Sequence, residues 1–197
     1  MFSDILYSYG SSNGRYTILI GEFNKSIDMF VSIYAPNSGL NLEFFSSLLN
    51  KVSNLRDQYK ADNIFLLGDL NVVLSSGVGI NRKTTKSEKT LVRKLEVLLA
   101  SLDIKPFHHN GDTKHTWCRG STLSTLDYII GPLHLVNLNP GIKVIWGIDK
   151  SDHAALLTDI EFDLDRGRGM FRTNTSFFNS PEFRADFERA CLIDFYG

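Results

Sequence analysis

Strand-like and helix-like segments alternate along the chain, and this alternation limits the folds it can adopt. Residues 15–22 and 28–34 are rich in β-branched and aromatic side chains around a polar turn, which predicts a β-hairpin. Residues 41–60 carry apolar side chains at helical spacing, and residues 63–67 form a short apolar run typical of a buried strand. This order of elements predicts an α/β fold in which helices cover a sheet.

The second half of the chain continues the pattern with shorter elements. Ser87 is a candidate N-cap for a second helix. The inner face of this helix is predicted to carry Leu91, Leu95, Leu98, Leu99 and Leu102. Four further strands are predicted around residues 113–117, 126–130, 142–148 and 154–162.

The size of the chain allows one good-sized domain. It has 197 residues, of which 43% are hydrophobic and 22% charged, and this composition is globular. Residues 163–169 are charged and contain glycine, so we expect a boundary there. Residues 1–162 would then form the folded domain, and residues 163–197 a linker with a short helix.

Charge, cysteine content and hydropathy exclude several classes of protein. Lys and Arg number 21 against 22 Asp and Glu, so the net charge of −1 excludes a histone-like binder, although local basic patches can still attract phosphate. Two cysteines are too few for a disulfide scaffold. No apolar run approaches the roughly 18 residues that a membrane span needs, and no secretory signal is visible. We therefore expect an intracellular protein without membrane contact, in the nucleus or the cytoplasm.

Gly68-Asp69-Leu70-Asn71 follows the apolar run over residues 63–67 directly. Sheets of α/β proteins place ligands at the carboxyl ends of their strands, and Asp69 and Asn71 would point the same way in an extended chain. A carboxylate beside a carboxamide can orient a water molecule and stabilise an oxyanion. The alternative is an ordinary turn, because Gly, Asp and Asn all favour turns.

Ser151-Asp152-His153 precedes the last predicted strand. An aspartate can hold a hard cation, and a neighbouring histidine can serve a phosphate as acid or hydrogen-bond donor. The alternative is a polar loop that happens to end in a histidine.

Asp127 lies inside an apolar, strand-like run, where an unpaired carboxylate is expensive to bury. We expect it to have a partner, and His153 is the candidate, because a carboxylate fixes the tautomer of an imidazole and supports its positive charge. The alternative is an edge strand with Asp127 on its solvent-exposed face.

Tyr34 ends a strand just before Ala35-Pro36-Asn37. Its phenol could contact a phosphate, or its ring could pack against the core.

Four motifs occur in a defined order: Tyr-Ala-Pro-Asn, Gly-Asp-Leu-Asn, Leu-Asp-Tyr-Ile and Ser-Asp-His. Together they resemble the endonuclease/exonuclease/phosphatase superfamily, whose fold is that of deoxyribonuclease I and the apurinic/apyrimidinic endonucleases. The resemblance spans about residues 15–162. It implies a four-layer α/β sandwich, with two mixed β-sheets flanked by helices, and a phosphodiesterase that depends on Mg²⁺ or Mn²⁺.

The resemblance also implies residue roles. Asp69 would orient or activate the attacking water, and Asn71 would help to position it and stabilise the transition state. Asp127 would hold His153, which would contact the scissile phosphate. Two further positions follow from the same motifs, a phosphate contact at Tyr34 and a metal ligand at Asp152.

A narrower resemblance points to DNA as the partner. Thr116-Trp117 and the Arg- and Gly-rich residues 167–174 look like the endonuclease domain of LINE-type non-LTR retrotransposons, which leads toward a reverse transcriptase. Two early family motifs, a strand ending in Asn and a strand ending in the metal-binding Glu, are not found, and Glu22 lies too late in the order to replace the second. We therefore expect a DNA-nicking domain that lacks its N-terminal strands and is inactive as this chain.

Two alternatives stay open. The chain could be a non-catalytic retroelement remnant that binds nucleic acid weakly at most. It could also be a phosphatase or a phospholipid diesterase of the same superfamily.

Overall fold

The structure of the chain is a computed structural model that describes residues 4–23, 25–37, 42–109, 114–138, 141–148 and 151–160. Its strands are β1 (Asp4–Gly10), β2 (Tyr16–Phe23), β3 (Ser26–Tyr34), β4 (Asn63–Asp69), β5 (Gly79–Ile80), β6 (Ile104–Pro106), β7 (Trp117–Arg119), β8 (Thr122–Ser124), β9 (Asp127–Pro132), β10 (Ile142–Ile145) and β11 (Ala155–Thr158). Its helices are α1 (Leu42–Tyr59), α2 (Lys86–Ser101) and α3 (Leu133–Asn137).

A six-stranded mixed sheet in the order β1-β2-β3-β4-β9-β6 organises these elements. The β2–β3 hairpin predicted from the sequence is present, and β4 runs parallel to β3. Strand β9 then pairs antiparallel with β4, and β6 with β9. Two small sheets, β5-β8-β7 and β10-β11, complete the strands. The fold class is therefore α/β with several sheets, as the alternation of segments predicts.

The core lies between one face of the large sheet and the two long helices. Alternate residues of β2 and β3, such as Ile18, Ile20 and Val31, are buried there. Helix α1 contributes Leu48 and Val52 from one side, as expected for an amphipathic helix. Each fully buried side chain of this kind stabilises the fold by roughly 1.5–3 kcal/mol.

The start of α2 corrects one detail of the sequence analysis. The prediction of Ser87 as N-cap is wrong, because Ser87 lies within the helix. The N-cap is Thr85, which has the extended backbone that a cap requires, and its hydroxyl accepts a hydrogen bond from the backbone N–H of Glu88 at 3.1 Å.

None of the described helices is long and apolar enough to cross a membrane. The helix and linker expected over residues 163–197 lie outside the described residues.

Candidate active site

Three polar side chains stand in a row where the central strands of the large sheet end. Tyr34 on β3 is opposite Asp69 on β4, and Asp69 is opposite Asp127 on β9. Directly opposed residues project from the same face of a sheet, and neighbouring strands are about 4.8 Å apart. The register therefore places these side chains next to one another at the carboxyl ends of β3 and β4.

Gly68 lets β4 approach β3 closely just before Asp69. Its φ of 125° lies in a region that L side chains rarely adopt, and a Cβ atom there would lie 2.2 Å from the backbone oxygen of Ile33. The backbone N–H of Ala35 donates to the backbone oxygen of Asp69 at 2.8 Å. Glycine is therefore required for Asp69 to stand beside Tyr34.

Asn71 turns back toward Asp69 instead of continuing an extended chain. Its φ is 51°, and its backbone N–H donates to Asp69 Oδ1 at 2.7 Å. Its side-chain Nδ2 donates to the backbone oxygen of Ala35 at 2.7 Å. The motif is thus a turn, and this turn fixes the backbone of Asn71 against the carboxylate of Asp69.

Asp127 and His153 are brought together across 26 residues of sequence. His153 Nδ1 lies 2.9 Å from Asp127 Oδ2. An ionised carboxylate only accepts hydrogen bonds, so Nδ1 carries the proton and Nε2 is left for another partner. The pairing expected from the sequence is present in the structure.

Thr116, which the sequence analysis did not single out as a site residue, fixes this pair. Its fully buried hydroxyl accepts the backbone N–H groups of Leu126 and Asp127 at 3.0 and 2.9 Å. The same hydroxyl donates to Asp127 Oδ2 at 2.7 Å. The carboxylate oxygen that holds His153 is therefore itself held in place.

Asp152 is held by Trp117 instead of by the row of carboxylates. The indole Nε1 of Trp117 donates to Asp152 Oδ2 at 2.9 Å, and the backbone N–H of Cys118 donates to the backbone oxygen of Asp152 at 2.9 Å. Trp117 also forms an isolated antiparallel bridge with His153. Strand β7 therefore positions both members of the Asp-His motif.

Burial is the main influence on the pKa of Asp69, a residue that is 9% exposed to solvent. Burial raises the pKa of this carboxyl above its ordinary value, and the nearby charge of Asp127 raises it further. The hydrogen bond from Asn71 and the proximity of His153 lower the pKa, without cancelling the effect of burial. A carboxylate of raised basicity is suited to accept a proton from water.

The acidic groups fit a divalent cation. One ligand atom each from Asp69, Asp127 and His153 lies within 4.8 Å of the others, so this cluster could hold a metal ion. Hard cations such as Mg²⁺ prefer carboxylate oxygens, which Asp69 and Asp127 offer. Asp152, the metal ligand expected from the sequence, is exposed and is not one of the three residues of this cluster. A cation bound at His153 Nδ1 would replace its hydrogen bond to Asp127, so the donor set favours the carboxylates over the imidazole.

Tyr34 is 52% exposed at the end of the row. The guanidinium carbon of Arg15 lies 4.9 Å from the centre of its ring, within the range of a cation–π contact. Tyr34 is therefore not a core residue, and its phenol is open to a ligand. Arg15 gave no signal in the sequence, because only the register of β2 and β3 places it here.

No protein-family model matches the chain, and no curated protein matches its sequence. Among solved structures, the endonuclease domain of TRAS1, a telomere-specific non-LTR retrotransposon, is 15% identical with a TM-score of 0.56, over 80% of this chain and 69% of that chain. The 3′ phosphatase NExo from Neisseria, bound to a product DNA hairpin, is 14% identical with a TM-score of 0.58, over 80% of this chain and 72% of that chain.

An AP endonuclease from Leishmania major matches over 76% of this chain and 55% of that chain, with 15% identity and a TM-score of 0.58. At such identities the likeness shows a shared fold and carries neither a substrate nor a residue role to this chain.

Proposed function

Because the chain has the fold of the endonuclease/exonuclease/phosphatase superfamily, we propose that it is a divalent-metal-dependent phosphodiesterase domain, of the kind that nicks DNA in a retroelement. The observation that carries the proposal is the row of Tyr34, Asp69 and Asp127, which His153 extends through its hydrogen bond to Asp127. Fold alone does not define an activity, so the argument depends on what these groups can do chemically.

Asp69 is the group that we assign to the attacking water. Its carboxylate orients the water and accepts a proton as the oxygen attacks phosphorus and the bond from phosphorus to the leaving oxygen breaks. The raised pKa of Asp69 strengthens it as a base. Asn71, fixed against Asp69 by its own backbone N–H, helps to position the water and to stabilise the transition state.

His153 is the group that we assign to the scissile phosphate. Asp127 accepts a hydrogen bond from the Nδ1–H group, so Nε2 is directed away from this pair and can meet a phosphate oxygen. When Nε2 is protonated, the carboxylate of Asp127 supports the positive charge of the ring. Tyr34 contributes a phenol to the same phosphate from the other end of the row.

The metal ion would be Mg²⁺ or Mn²⁺, with Asp152 as a ligand. When bound, such an ion neutralises charge on the phosphate and polarises its bonds. Trp117 holds one oxygen of Asp152, which leaves the other oxygen of this exposed side chain for the cation.

DNA is the proposed substrate. Support comes from the likeness to a retrotransposon endonuclease domain and to a phosphatase solved with a DNA product. The second of these is a 3′ phosphatase, which keeps a phosphatase activity of this chain as an alternative. A non-catalytic chain that binds nucleic acid is the other alternative, because the family motif with the metal-binding Glu is not found in the sequence.

Incubation of the purified chain with supercoiled plasmid in Mg²⁺ or Mn²⁺ tests the proposal. Nicking that disappears in EDTA, in Asp69→Asn and in Asp152→Ala supports a metal-dependent phosphodiesterase. Nicking that persists in Asp69→Asn contradicts the assignment of Asp69 to the attacking water. Release of phosphate from a 3′-phosphorylated oligonucleotide without nicking favours the phosphatase, and a folded chain inactive on both substrates favours the non-catalytic alternative.

A further inference from the structure

A groove between α1 and α2 lies on the side of the large sheet away from the candidate active site. Ile33 and Tyr128 belong to the core that the two helices cover, whereas their neighbours along the strands, Tyr34 and Asp127, belong to the row. Adjacent residues of a strand project from opposite faces of a sheet. The row and the two long helices are therefore on opposite faces, and a molecule bound in the groove would leave the row accessible.

The floor of the groove is apolar. The groove has a volume of about 370 Å³ and is lined by side chains of both helices: Leu42, Ser46, Arg93, Lys94, Val97 and Leu98. Val97 is 69% exposed, although a β-branched side chain lowers helix propensity and gains almost no burial here in return. The folded chain alone therefore gains little from this valine, whereas a partner that covered it would gain apolar contact.

The rim of the groove is positively charged. Lys89 and Arg93 precede Val97 at intervals of four residues, so these three side chains share one face of α2. Lys94 is exposed beside them, as are Lys89 and Arg93. The ion pairs found within the described residues, Arg82 with Glu88 and His153 with Asp127, involve none of these three cations.

The acidic residues of α2 do not neutralise this rim. Glu88 is paired with Arg82 at 2.7 Å, and Glu96 accepts hydrogen bonds from the backbone N–H and the hydroxyl of Ser75 at 2.9 and 3.0 Å. Glu43, at the start of α1, lines a different cavity. The positive charge along the groove is therefore available to the carboxylates of a partner.

We propose that this groove binds an acidic amphipathic helix of a partner protein. Two packed helices offer a third helix a groove between their ridges of side chains, and a helix bound there inserts apolar anchors spaced by three or four residues. Its anchors contact Leu42, Val97 and Leu98, and its flanking carboxylates pair with Arg93 and Lys94. A nucleic acid fits this surface less well, because its phosphates match the charged rim and leave the apolar floor uncovered.

Binding of a small panel of fluorescein-labelled peptides, measured by anisotropy, tests the proposal. Each peptide has about five helical turns, with Leu, Phe or Met on one face and Glu on both flanks. The salt concentration is about 0.15 M, at which charges more than about 8 Å apart are largely screened. Val97→Ser and Arg93→Glu are each expected to weaken binding about tenfold, since the first removes an apolar contact and the second reverses a charge on the rim.

Leu138→Ser is the matched control for Val97→Ser. Leu138 is 70% exposed, about as much as Val97, and does not line the groove. Binding of the peptides should be unchanged in this variant, and equal losses in the two Ser variants would overturn the proposal. A charge swap gives a second test, because peptides with Lys in place of Glu should bind the double variant Arg93→Glu, Lys94→Glu more tightly than the wild-type chain.

The same titrations separate this proposal from the proposed function. Asp69→Asn should bind the acidic peptides as the wild-type chain does, whatever its effect on hydrolysis. A folded wild-type chain that binds none of the acidic peptides overturns the groove as a docking site and leaves the proposed function intact. A DNA duplex that displaces a bound peptide would assign the charged rim to nucleic acid, and this result also overturns the proposal.

Discussion

Asp69 places a negative charge where the fold would be more stable without one. Burial raises its pKa above the ordinary 3.8, so the folded state holds the proton more tightly than the unfolded state. The free energy of unfolding therefore falls as the pH rises from 3.8 through the raised pKa. At neutral pH the ionised carboxylate destabilises the fold, as reactive groups often do.

Asp69→Asn is therefore expected to raise the free energy of unfolding at pH 7 by about 1 kcal/mol while removing any hydrolysis. The amide oxygen of Asn can still accept the N–H of Asn71, so the turn is retained. Urea unfolding in EDTA measures the gain in the free energy of unfolding. This gain should disappear at a pH below 3.8, because the Asp69 carboxyl is then protonated in both the folded and the unfolded state. Asp152→Asn, at an exposed carboxylate of the same site, is the control and should change little. A less stable Asp69→Asn at pH 7 would contradict this account.

Gly68→Ala is expected to lower the free energy of unfolding by at least about 2 kcal/mol and to abolish binding of DNA at the candidate site. The new methyl group would collide with the backbone oxygen of Ile33 and separate β3 from β4 beside Asp69. Gly14→Ala separates the cost of the positive φ from the cost of the collision. Gly14 also has a positive φ, but nothing lies within 4 Å of its added Cβ atom. Thermal unfolding should therefore show a clearly smaller loss for Gly14→Ala, and equal losses would refute the collision.

Strand β9 connects the site to the loop that follows β4. The buried phenol of Tyr128 accepts the backbone N–H of Leu74 at 2.9 Å and donates to the backbone oxygen of Thr125 at 3.0 Å. Burial raises the pKa of Tyr128 strongly, so the phenol stays neutral and keeps donating in alkaline solution. One hydroxyl thus fastens the loop after Asn71 to the strand that carries Asp127.

Tyr128→Phe is expected to destabilise the chain by about 2 kcal/mol, because two buried backbone groups lose their partner. Hydrogen exchange should show the loss of protection concentrated at Leu74 and its neighbours. Tyr34→Phe is the matched control, since it removes an exposed phenol and should leave stability nearly unchanged. An equal loss of protection at all strands of the large sheet would contradict a local role of the Tyr128 hydroxyl.

Elements of clear periodicity could be predicted from the sequence, and very short ones could not. The helix expected over residues 41–60 is Leu42–Tyr59, because seven apolar positions on one face define a helical period. Strands β5, β6 and β8 have two or three residues, too few to show any period. Strand β1 could not be predicted either, because Ile5 and Leu6 are adjacent and both exposed, so the strand lacks a regular alternation of buried apolar and exposed polar residues.

The candidate site, too, could be predicted from the sequence only in part. The partnership of Asp127 and His153 could be inferred because a carboxylate inside an apolar strand requires a partner. The roles of Thr116, Trp117 and Arg15 could not, since each depends on the register between strands that are distant in sequence.

Charge over the whole molecule is nearly balanced, with a net value of −1 when the five histidines are neutral. A chain of this kind attracts a polyanion through local groups and not through its overall field. Not every basic side chain is available for this, since Arg82 is already paired with Glu88 at 2.7 Å.

Binding of DNA is therefore expected to depend on a few local phosphate contacts, so log K should fall with log salt by only about 0.9 for each contact. Burial and the nearby Lys114 lower the pKa of His109, so this imidazole stays neutral at about pH 7.5 and adds no charge. Anisotropy titrations at about pH 7.5 over a series of salt concentrations measure the slope. A slope as steep as that of a protein with many basic contacts would contradict attraction through a few local groups.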